Sequence, residues 1–422
     1  MKSLKRTYSD ILFYTIIMVL LAGCAGNQKE DKSMDQEKEF DKGTFGYDVN
    51  FLKKYYEDLI LLESKEGEAL ALVSTQLQGR IMTTSAEGMS GKSFGWLNYD
   101  LIKSQEKQPH FNPVGGEERF WLGPEGGQFS TYFKENSEFS FDNWYVPKEI
   151  DTEPFELLSK DKQTAKFTRT MNLVNYSGNK LDIKVNRDIR LIDGNSISKL
   201  LGTVIDDKVS FVGVESENTL INVGKNEWNR SYGMPSVWIL SMLNPSEETV
   251  IFLPFNPGPE EDLGVIFNDN YFGKISSDRI RVKDSTVFFK ADGKSRGKVG
   301  LSPQRAKSIA GSYDAKNKVL TIAQFSLPEG AEEYVNSAWE IQDNPFKGDA
   351  VNAYNDGPLE DGSIMGPFYE IESSSPAANL SPGESLTHVH RTFHFTGTFE
   401  DLNAISKKIL GVDLATTSTV FD

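Results

Sequence analysis

Carboxylates in the last quarter of the chain stand at a spacing that suits acid–base chemistry. Glu370 and Glu372 alternate along the stretch YEIES, so a strand would place both on one face. On a buried face the two carboxylates disfavour joint ionisation, which raises the pKa of one of them towards the range of a general acid. On a solvated face each would lie beside a lysine or an arginine and have no chemical role. The sequence leaves these two interpretations open.

Histidines follow shortly after these carboxylates. His388, His390 and His394 occupy even positions in the stretch THVHRTFHF, so they would also share one face of a strand. At about 3.3 Å per residue, His388 and His394 lie roughly 20 Å apart, which is too far for a single metal ion. His388 and His390 would need a third ligand from elsewhere in the fold. We therefore predict no metal site and assign His388 as a candidate acid or base, with His390 and His394 as candidate sugar-binding residues.

A glycine-rich stretch at 115–127, GGEERFWLGPEGG, combines carboxylates, a guanidinium and a tryptophan. Its glycines permit sharp turns, Trp121 offers a flat face to a sugar ring, and Arg119 could bind hydroxyl groups together with the carboxylates. In the opposing interpretation the stretch is a structural turn with an internal salt bridge and a core tryptophan. The candidates from this region and from the later NDGP turn are Glu118 and Glu125 for catalysis, and Arg119, Trp121, Gln128 and Asp356 for substrate binding.

The two regions complement each other chemically. The glycine-rich stretch supplies a ring platform and hydroxyl partners, whereas the later strands supply the histidines that could carry protons. We therefore expect residues 115–127 to form one wall of a saccharide cleft that faces Glu370, Glu372 and His388.

Two further classes of site have weaker support. The segment 258–274 is rich in side-chain oxygens that could hold calcium, but it lacks the spacing of an EF-hand loop and also fits a solvated turn. Cys24 is the only cysteine of the 422 residues. Because we expect its thiol to carry a lipid, as described below, no thiol is left for catalysis. No cofactor other than calcium is considered.

Strands must position most of these residues. From residue 69 onward, short alternating or β-branched runs are separated by Gly, Asn, Asp and Pro, and they show no repeat period. This pattern predicts an all-β fold, a large antiparallel two-sheet sandwich in a single domain. Helical spacing of apolar residues at 47–64 and 399–411 predicts one short helix at each end of it.

The first residues have the features of a lipoprotein signal. A basic beginning and a short apolar run precede Leu-Ala-Gly-Cys at 21–24, where small residues stand before a cysteine that becomes lipidated. We predict a signal peptide at 1–23, an acidic disordered tether at 24–45 and the sandwich domain at 46–422. The expected location is the outer membrane, facing the periplasm or the cell surface.

The charge balance restricts the partners. The chain has 45 basic and 61 acidic residues, a net charge of −16. Such a surface disfavours nucleic acid and anionic lipid as partners, so contact with the membrane is expected through the lipid anchor only. Neutral carbohydrate stays compatible with it.

Three segments, in this order, give the chain a resemblance to the galactose mutarotase-like superfamily, and more closely to an uncharacterised branch of secreted bacterial lipoproteins within it. The similarity covers roughly residues 65–397. The residues that carry it are Gly79-Arg80-Ile81, then Gly115, Gly116, Arg119, Trp121, Pro124 and Glu125, and finally Glu370, Glu372, Ser373, Ser375, Pro376, Leu380, Pro382, Gly383, Glu384 and Ser385.

The resemblance implies a β-supersandwich with a concave carbohydrate-binding face. Aldose epimerases of that superfamily open a sugar ring at C1 with a histidine acid and a glutamate base, and Glu370 or Glu372 is the nearest match to the base. This chain has no histidine between His110 and His388, so their mid-chain histidine has no counterpart.

Two functions therefore stay open at this stage, with a structural envelope protein as a weaker third. One is an enzyme of glycosidase, lyase or epimerase type that uses carboxylate and histidine on a glycan, without being a plain aldose 1-epimerase. The other is a non-catalytic glycan-binding surface lipoprotein.

The lipoprotein hypothesis makes a direct prediction. Replacing Cys24 by alanine removes the thiol that accepts the lipid, so the protein should lose its acyl chains and leave the membrane fraction. Fractionation of cells and mass spectrometry of the mature N-terminus measure this. If the Cys24→Ala variant partitions into the membrane as the unmodified sequence does, the anchor lies elsewhere.

Overall fold

Antiparallel strands make up most of the regular structure, as the alternating runs predict. A computed structural model describes residues 39–359 and 361–422. Residues 1–38, with the predicted signal peptide, Cys24 and most of the tether, lie outside the described residues. The strands are β1 Leu59–Glu63, β2 Leu70–Ser74, β3 Arg80–Ser85, β4 Arg119–Gly123, β5 Glu156–Lys160, β6 Thr164–Val174, β7 Lys180–Leu191, β8 Ser210–Asn222, β9 Ser236–Leu240, β10 Thr249–Pro254, β11 Ile280–Lys283, β12 Thr286–Lys290, β13 Gly297–Leu301, β14 Ile309–Asp314, β15 Val319–Phe325, β16 Val351–Asn355, β17 Tyr369–Ser374 and β18 Ser385–Thr396.

Helices are few and short. They are α1 Phe45–Leu52, α2 Tyr99–Ser104, α3 Lys148–Asp151, α4 Gly194–Leu201, α5 Glu260–Leu263 and α6 Phe399–Ile409, with single 3₁₀ turns at Gly88–Ser90, Phe141–Asn143 and Leu414–Ser418. The predicted C-terminal helix is α6, which Thr398 caps by accepting a hydrogen bond from the Asp401 amide. No helix in the described part of the chain is both long enough and apolar enough to span a membrane.

The predicted N-terminal helix over 47–64 is only half right. α1 ends at Leu52, and Asp58, with a φ of 55°, turns the chain before it continues as β1. Within β1, Ile60 and Leu62 are buried and their neighbours are more exposed, a period of two that matches antiparallel pairing with β2. Tertiary pairing therefore prevails over the helical spacing of the leucines.

Three sheets build the fold. Ten strands form the largest sheet, in the order β11-β12-β10-β14-β15-β18-β8-β7-β6-β5. Five strands, β13-β16-β17-β9-β4, form the second sheet, and β1-β2-β3 form a small third one. The ten-stranded and five-stranded sheets pack face to face, which confirms the predicted all-β sandwich.

The space between the two large sheets holds polar groups as well as apolar side chains. Ser373 of β17 shares its hydroxyl with His388 Nε2 and His390 Nδ1 of β18, both at 2.8 Å. Glu118 and Arg187 are fully buried and form an ion pair at 2.9 Å. Breaking a buried pair of this kind by removing one partner typically costs about 3–5 kcal/mol, because a charge is left without compensation.

Candidate functional site

One face of the five-stranded sheet gathers the charged and aromatic side chains that could do chemistry. In antiparallel strands, residues directly opposite each other lie on the same face, and alternate residues of one strand do too. The pairs on the face turned away from the ten-stranded sheet, called here the outer face, are Lys298 with Tyr354, Tyr354 with Glu370, Asn352 with Glu372, Ser374 with Trp238, Trp238 with Trp121, and Leu240 with Arg119.

Two buried ion pairs lie on the outer face. Arg119 Nη2 donates to Glu370 Oε1 at 2.7 Å. Lys298 Nζ donates to Glu372 Oε2, also at 2.7 Å, and Trp238 Nε1 donates to the same oxygen at 2.8 Å. Because Glu370 and Glu372 are neighbours on one strand face, the two pairs form a single cluster of four charged side chains.

Aromatic rings enclose this cluster. The Arg119 guanidinium lies 4.6 Å from the centroid of the Trp121 ring and 5.1 Å from that of Phe111. The Lys298 ammonium lies 4.7 Å from the Trp238 ring. Trp144 extends the aromatic layer, with its ring 6.5 Å from that of Trp121. Cations against ring faces gain electrostatic stabilisation in a site that water hardly reaches.

Burial shifts the pKa values of Glu370 in the cluster and of Glu125 beside it. Desolvation raises the pKa of Glu370 to about 8, although the nearby charge of Arg119 acts in the opposite direction. Desolvation also raises the pKa of Glu125 to about 7, where the charge of Lys298 lowers it and that of Glu372 raises it. Both groups can therefore hold or release a proton near neutral pH.

Glu125 stands at the edge of the cluster and is only partly buried. Its segment is tied to the stretch that carries Trp339, because the Glu125 amide donates to Ser337 Oγ at 3.2 Å. Gln128 strengthens that connection, since it donates to the Gln342 carbonyl at 2.8 Å and accepts from the Gln342 amide at 3.0 Å. Gln128 thus holds two loops together at the rim of the site.

Two tyrosines of the site have carboxylate partners. The Tyr271 hydroxyl donates to Asp349, and burial raises the pKa of Asp349 to about 6. The Tyr354 hydroxyl donates to Asp356 Oδ1 at 2.6 Å, and burial raises the pKa of Asp356. Asp356 therefore orients the hydroxyl group of a tyrosine on the outer face.

Four of the predicted site residues lie on the other side of the sheet. Glu118, His388, His390 and His394 are buried between the two large sheets. Adjacent strand residues point to opposite faces, so Ser373, which contacts His388 and His390, is directed away from Glu372. The structure therefore places Glu118 and His388 on the opposite side of the five-stranded sheet from Glu370 and Glu372.

Two of the buried histidines are also poor proton carriers. Desolvation lowers the pKa of His388 and of His390 to about 3, so both rings are neutral at physiological pH. His394 Nε2 lies 3.1 Å from Glu117 Oε1, and its ring stacks on Phe94. These contacts indicate that the three histidines have a structural role in the interior.

The glycine-rich stretch 115–127 is not a presented loop. Its middle is strand β4, and every residue from Arg119 to Gly123 is buried. The alternation of the strand separates its functional groups, because Arg119 and Trp121 face the outer side whereas Glu118 faces the interior. Trp121 is therefore buried, as the core interpretation predicts, and its ring also contacts the charged cluster.

The sequence did not reveal several residues that belong to the cluster or surround it. Lys298 had a visible signal, since a lysine between two glycines in GKVGL is unusual for a fully buried strand. Trp238 and Tyr354 had none, because aromatic residues in strands are ordinary core residues. The two aromatic loop residues Tyr271 and Trp339 come close to the cluster only through the fold.

The side chains that were candidates for metal binding form ordinary contacts within the protein. Within residues 39–359 and 361–422, no group of three or more His, Asp or Glu side chains could hold a metal ion. In the segment 258–274, Asp269 forms an ion pair with Lys274 at 2.6 Å and accepts from the Ile275 amide. The calcium hypothesis has no geometry here to support it.

A family model covers nearly the whole described chain. It matches residues 43–421 and describes a family of unknown function, DUF6786. The chain belongs to this family. The DUF6786 match includes every residue of the charged cluster on the outer face. No curated protein matches the chain.

Three solved structures illustrate what this DUF6786 chain is similar to. A galactose mutarotase-like protein from Lactobacillus casei is 10% identical, with 80% of this chain and 99% of that chain covered and a TM-score of 0.46. A galactose mutarotase related enzyme from Lactobacillus acidophilus is 10% identical, with 81% and 98% covered and a TM-score of 0.45. A protein from Synechocystis sp. PCC 6803 is 11% identical, with 80% and 96% covered and a TM-score of 0.48.

The raised pKa of Glu370 predicts how stability depends on pH. Between about pH 4.3, where an unfolded glutamate titrates, and about pH 8, the folded protein keeps a proton that the unfolded chain releases. The free energy of unfolding should therefore fall as the pH rises through this window. Urea unfolding of the Glu370→Gln variant should show a shallower fall, because glutamine does not titrate.

Replacement of the exposed Glu332 by glutamine is the matched control, and it should leave the pH dependence unchanged. Equal slopes for the unmodified protein and the Glu370→Gln variant would show that Glu370 titrates normally.

Proposed function

We propose that this protein binds a saccharide on the outer face of its five-stranded sheet and transfers protons to and from it with Glu370 and Glu125. The observation that carries the proposal is the buried cluster of Arg119, Glu370, Lys298 and Glu372 among aromatic rings. Protein sites for sugars need flat apolar surfaces and fixed hydrogen-bonding groups together.

Hydrogen-bonding groups without a protein partner support a polar ligand. Arg119 Nε and Nη1, Trp121 Nε1 and Glu372 Oε1 are buried and have no hydrogen-bond partner within the described residues. Leaving a buried polar group unsatisfied typically costs about 1–3 kcal/mol, so a cluster of them calls for a partner. Sugar hydroxyls both donate and accept, and they suit this mixture of N–H donors and a carboxylate acceptor.

The raised pKa values support proton transfer. Burial raises the pKa of Glu370 against the opposing charge of Arg119, so this group can exchange a proton near neutral pH and serve as a general acid when it is protonated. Glu125, with a pKa of about 7, is divided between both forms and can accept or donate. Plain aldose 1-epimerase chemistry is not proposed, because the three histidines near the C-terminus lie in the interior, away from the outer face.

A non-catalytic binding protein is the second candidate, and the ion pairs favour it. Glu370 and Glu372 are each held by a cation, a geometry that also fixes carboxylates as acceptors for hydroxyl groups. Conversion of a bound glycan separates the two candidates.

The proposal extends to location. The position of Cys24, the only cysteine, after Leu-Ala-Gly supports a lipoprotein of the outer membrane that faces the periplasm or the cell surface. The membrane partitioning of the Cys24→Ala variant tests this part.

Binding and turnover should be measured on the purified protein with saccharides of one to six residues from the cellulose, xylan, mannan and starch series. We expect calorimetric binding in at least one series and a changed sugar by nuclear magnetic resonance. Glu370→Gln keeps the side-chain shape, so it should bind with similar affinity and lose roughly 10²- to 10⁴-fold in rate, the usual contribution of a general acid. Arg119→Met should lose binding.

The exposed Glu332→Gln variant again serves as the control and should match the unmodified protein. Binding without conversion would select the second candidate. If no series binds, or if Arg119→Met binds as well as the unmodified protein, the outer face is not a saccharide site.

A further inference from the structure

The charged cluster is closed to solvent in this structure. Lys298 and Glu372 are 8% and 1% exposed, and Arg119 is 3% exposed. The Glu372 Oε1 atom, which has no hydrogen-bond partner among the described residues, therefore lies where no saccharide hydroxyl group can reach it. Because the proposed function needs such contacts, some part of the fold must move aside when a saccharide binds.

The Arg119 end of the cluster lies under interlocked aromatic rings. Each of these rings belongs to a residue that is at most 9% exposed, namely Phe111, Trp121, Tyr132 and Trp144. The rings pack on one another, with centroids 5.1 Å apart for Phe111 and Trp121 and 5.7 Å apart for Trp121 and Tyr132. Opening this end would expose several large rings to water at once, a change that the hydrophobic effect opposes.

The Lys298 end lies under the end of a single loop, residues 270–273, called here the tip. The ring of Tyr271 lies 5.3 Å from Lys298 Nζ. The ring of Phe272 lies 3.8 Å from the Arg296 guanidinium. Tyr271 is partly exposed and Phe272 is 46% exposed, so the tip is one side chain thick over this end of the cluster.

Few bonds hold the tip in place. In the described part of the chain, residues 270–273 make no backbone–backbone hydrogen bond. The Tyr271 hydroxyl donates to Asp349 and accepts from Asn352 Nδ2 at 3.0 Å. Gly273 has a φ of 94°, and a Cβ atom there would meet nothing within 4 Å, so packing does not restrain the backbone. The tip can therefore move by releasing its two aromatic side chains, without unpairing any strand.

The base of the same loop is fixed. Asn268 exchanges two backbone hydrogen bonds with Gly300 of β13, both at 2.8 Å. Asp269 accepts from the Lys274 ammonium at 2.6 Å and from the Ile275 amide at 3.1 Å. The ends of the loop therefore stay in place when the tip moves, as in loops that cover binding sites.

From these observations we propose that a saccharide enters the outer face at the Lys298 end, and that the tip is the gate that admits it. This inference rests on the proposed saccharide site and adds its entry route. Tyr271 and Phe272 determine how often the gate opens, and they take no part in proton transfer.

The first experiment follows the gate without a ligand. The purified full-length protein is pulsed with acetic anhydride, and mass spectrometry measures how fast Lys298 is acetylated, a reaction that requires the gate to open. Phe272→Ala should raise this rate by roughly 2- to 5-fold, because loss of an exposed cation–π contact shifts the opening equilibrium by that factor. Tyr271→Phe keeps the ring but loses the hydroxyl contacts, and it should also raise the rate.

Phe141→Ala is the matched control. Phe141 is 59% exposed, and its ring packs on Trp144, at 5.9 Å, in the aromatic layer at the Arg119 end. This variant should leave the acetylation of Lys298 unchanged. If Phe141→Ala accelerates it as much as Phe272→Ala does, or if neither tip variant accelerates it, the tip is not the gate, and the saccharide site itself is untouched by that result.

The second experiment measures how fast a saccharide binds. Stopped-flow tryptophan fluorescence gives the association rate for whichever saccharide of the cellulose, xylan, mannan and starch series binds. Phe272→Ala should raise this rate by the same factor, since a larger share of the molecules is open. A residue that only stabilised the fold would not slow binding, so an unchanged or slower association in this variant would overturn the inference and leave the site intact. Failure of every saccharide to bind would overturn the site and its entry route together.

Discussion

Burial of charge on the outer face is the constraint on which the account of this molecule depends. Two cations and two carboxylates are withdrawn from water there, and each carboxylate is compensated by its own cation. Desolvation favours neutral forms and ion pairs favour charged ones, so the balance decides the protonation of Glu370. The sheet makes the cluster possible, because antiparallel register brings side chains from β13, β17 and β4 to one face.

The same fold buries a second polar layer between the two large sheets. Between the two large sheets, Glu118 is paired with Arg187, and Ser373 shares its hydroxyl with His388 and His390. These groups bond to one another between the sheets, although Glu118 Oε2 and His388 Nδ1 have no hydrogen-bond partner within the described residues. The outer face keeps four such atoms, of Arg119, Trp121 and Glu372, in one cluster lined by aromatic rings. A site for a ligand is expected where the polar groups are incompletely satisfied.

The sequence predicted the fold class well because alternation and turn residues are local signals. It also singled out Arg119, Glu125, Glu370 and Glu372, which the structure brings close together. It failed where the outcome depended on a strand's position between two sheets: even spacing showed that the histidines share a face, but not which face. The helix predicted over 47–64 was wrong from Leu59 onward for a related reason. Only pairing with the neighbouring strand β2 makes Leu59–Glu63 a strand. Lys298 could have been noticed as a lysine in an otherwise apolar strand.

The most direct test of the central claim is a crystal structure of the protein with a bound oligosaccharide. The account predicts electron density for a sugar ring on the outer face, with hydroxyl groups within hydrogen-bond distance of Arg119 and of Glu372, and with the ring against Trp121 or Trp238. Density for a fully occupied ligand elsewhere, with the Arg119–Glu370 and Lys298–Glu372 pairs unchanged and uncontacted, would contradict it.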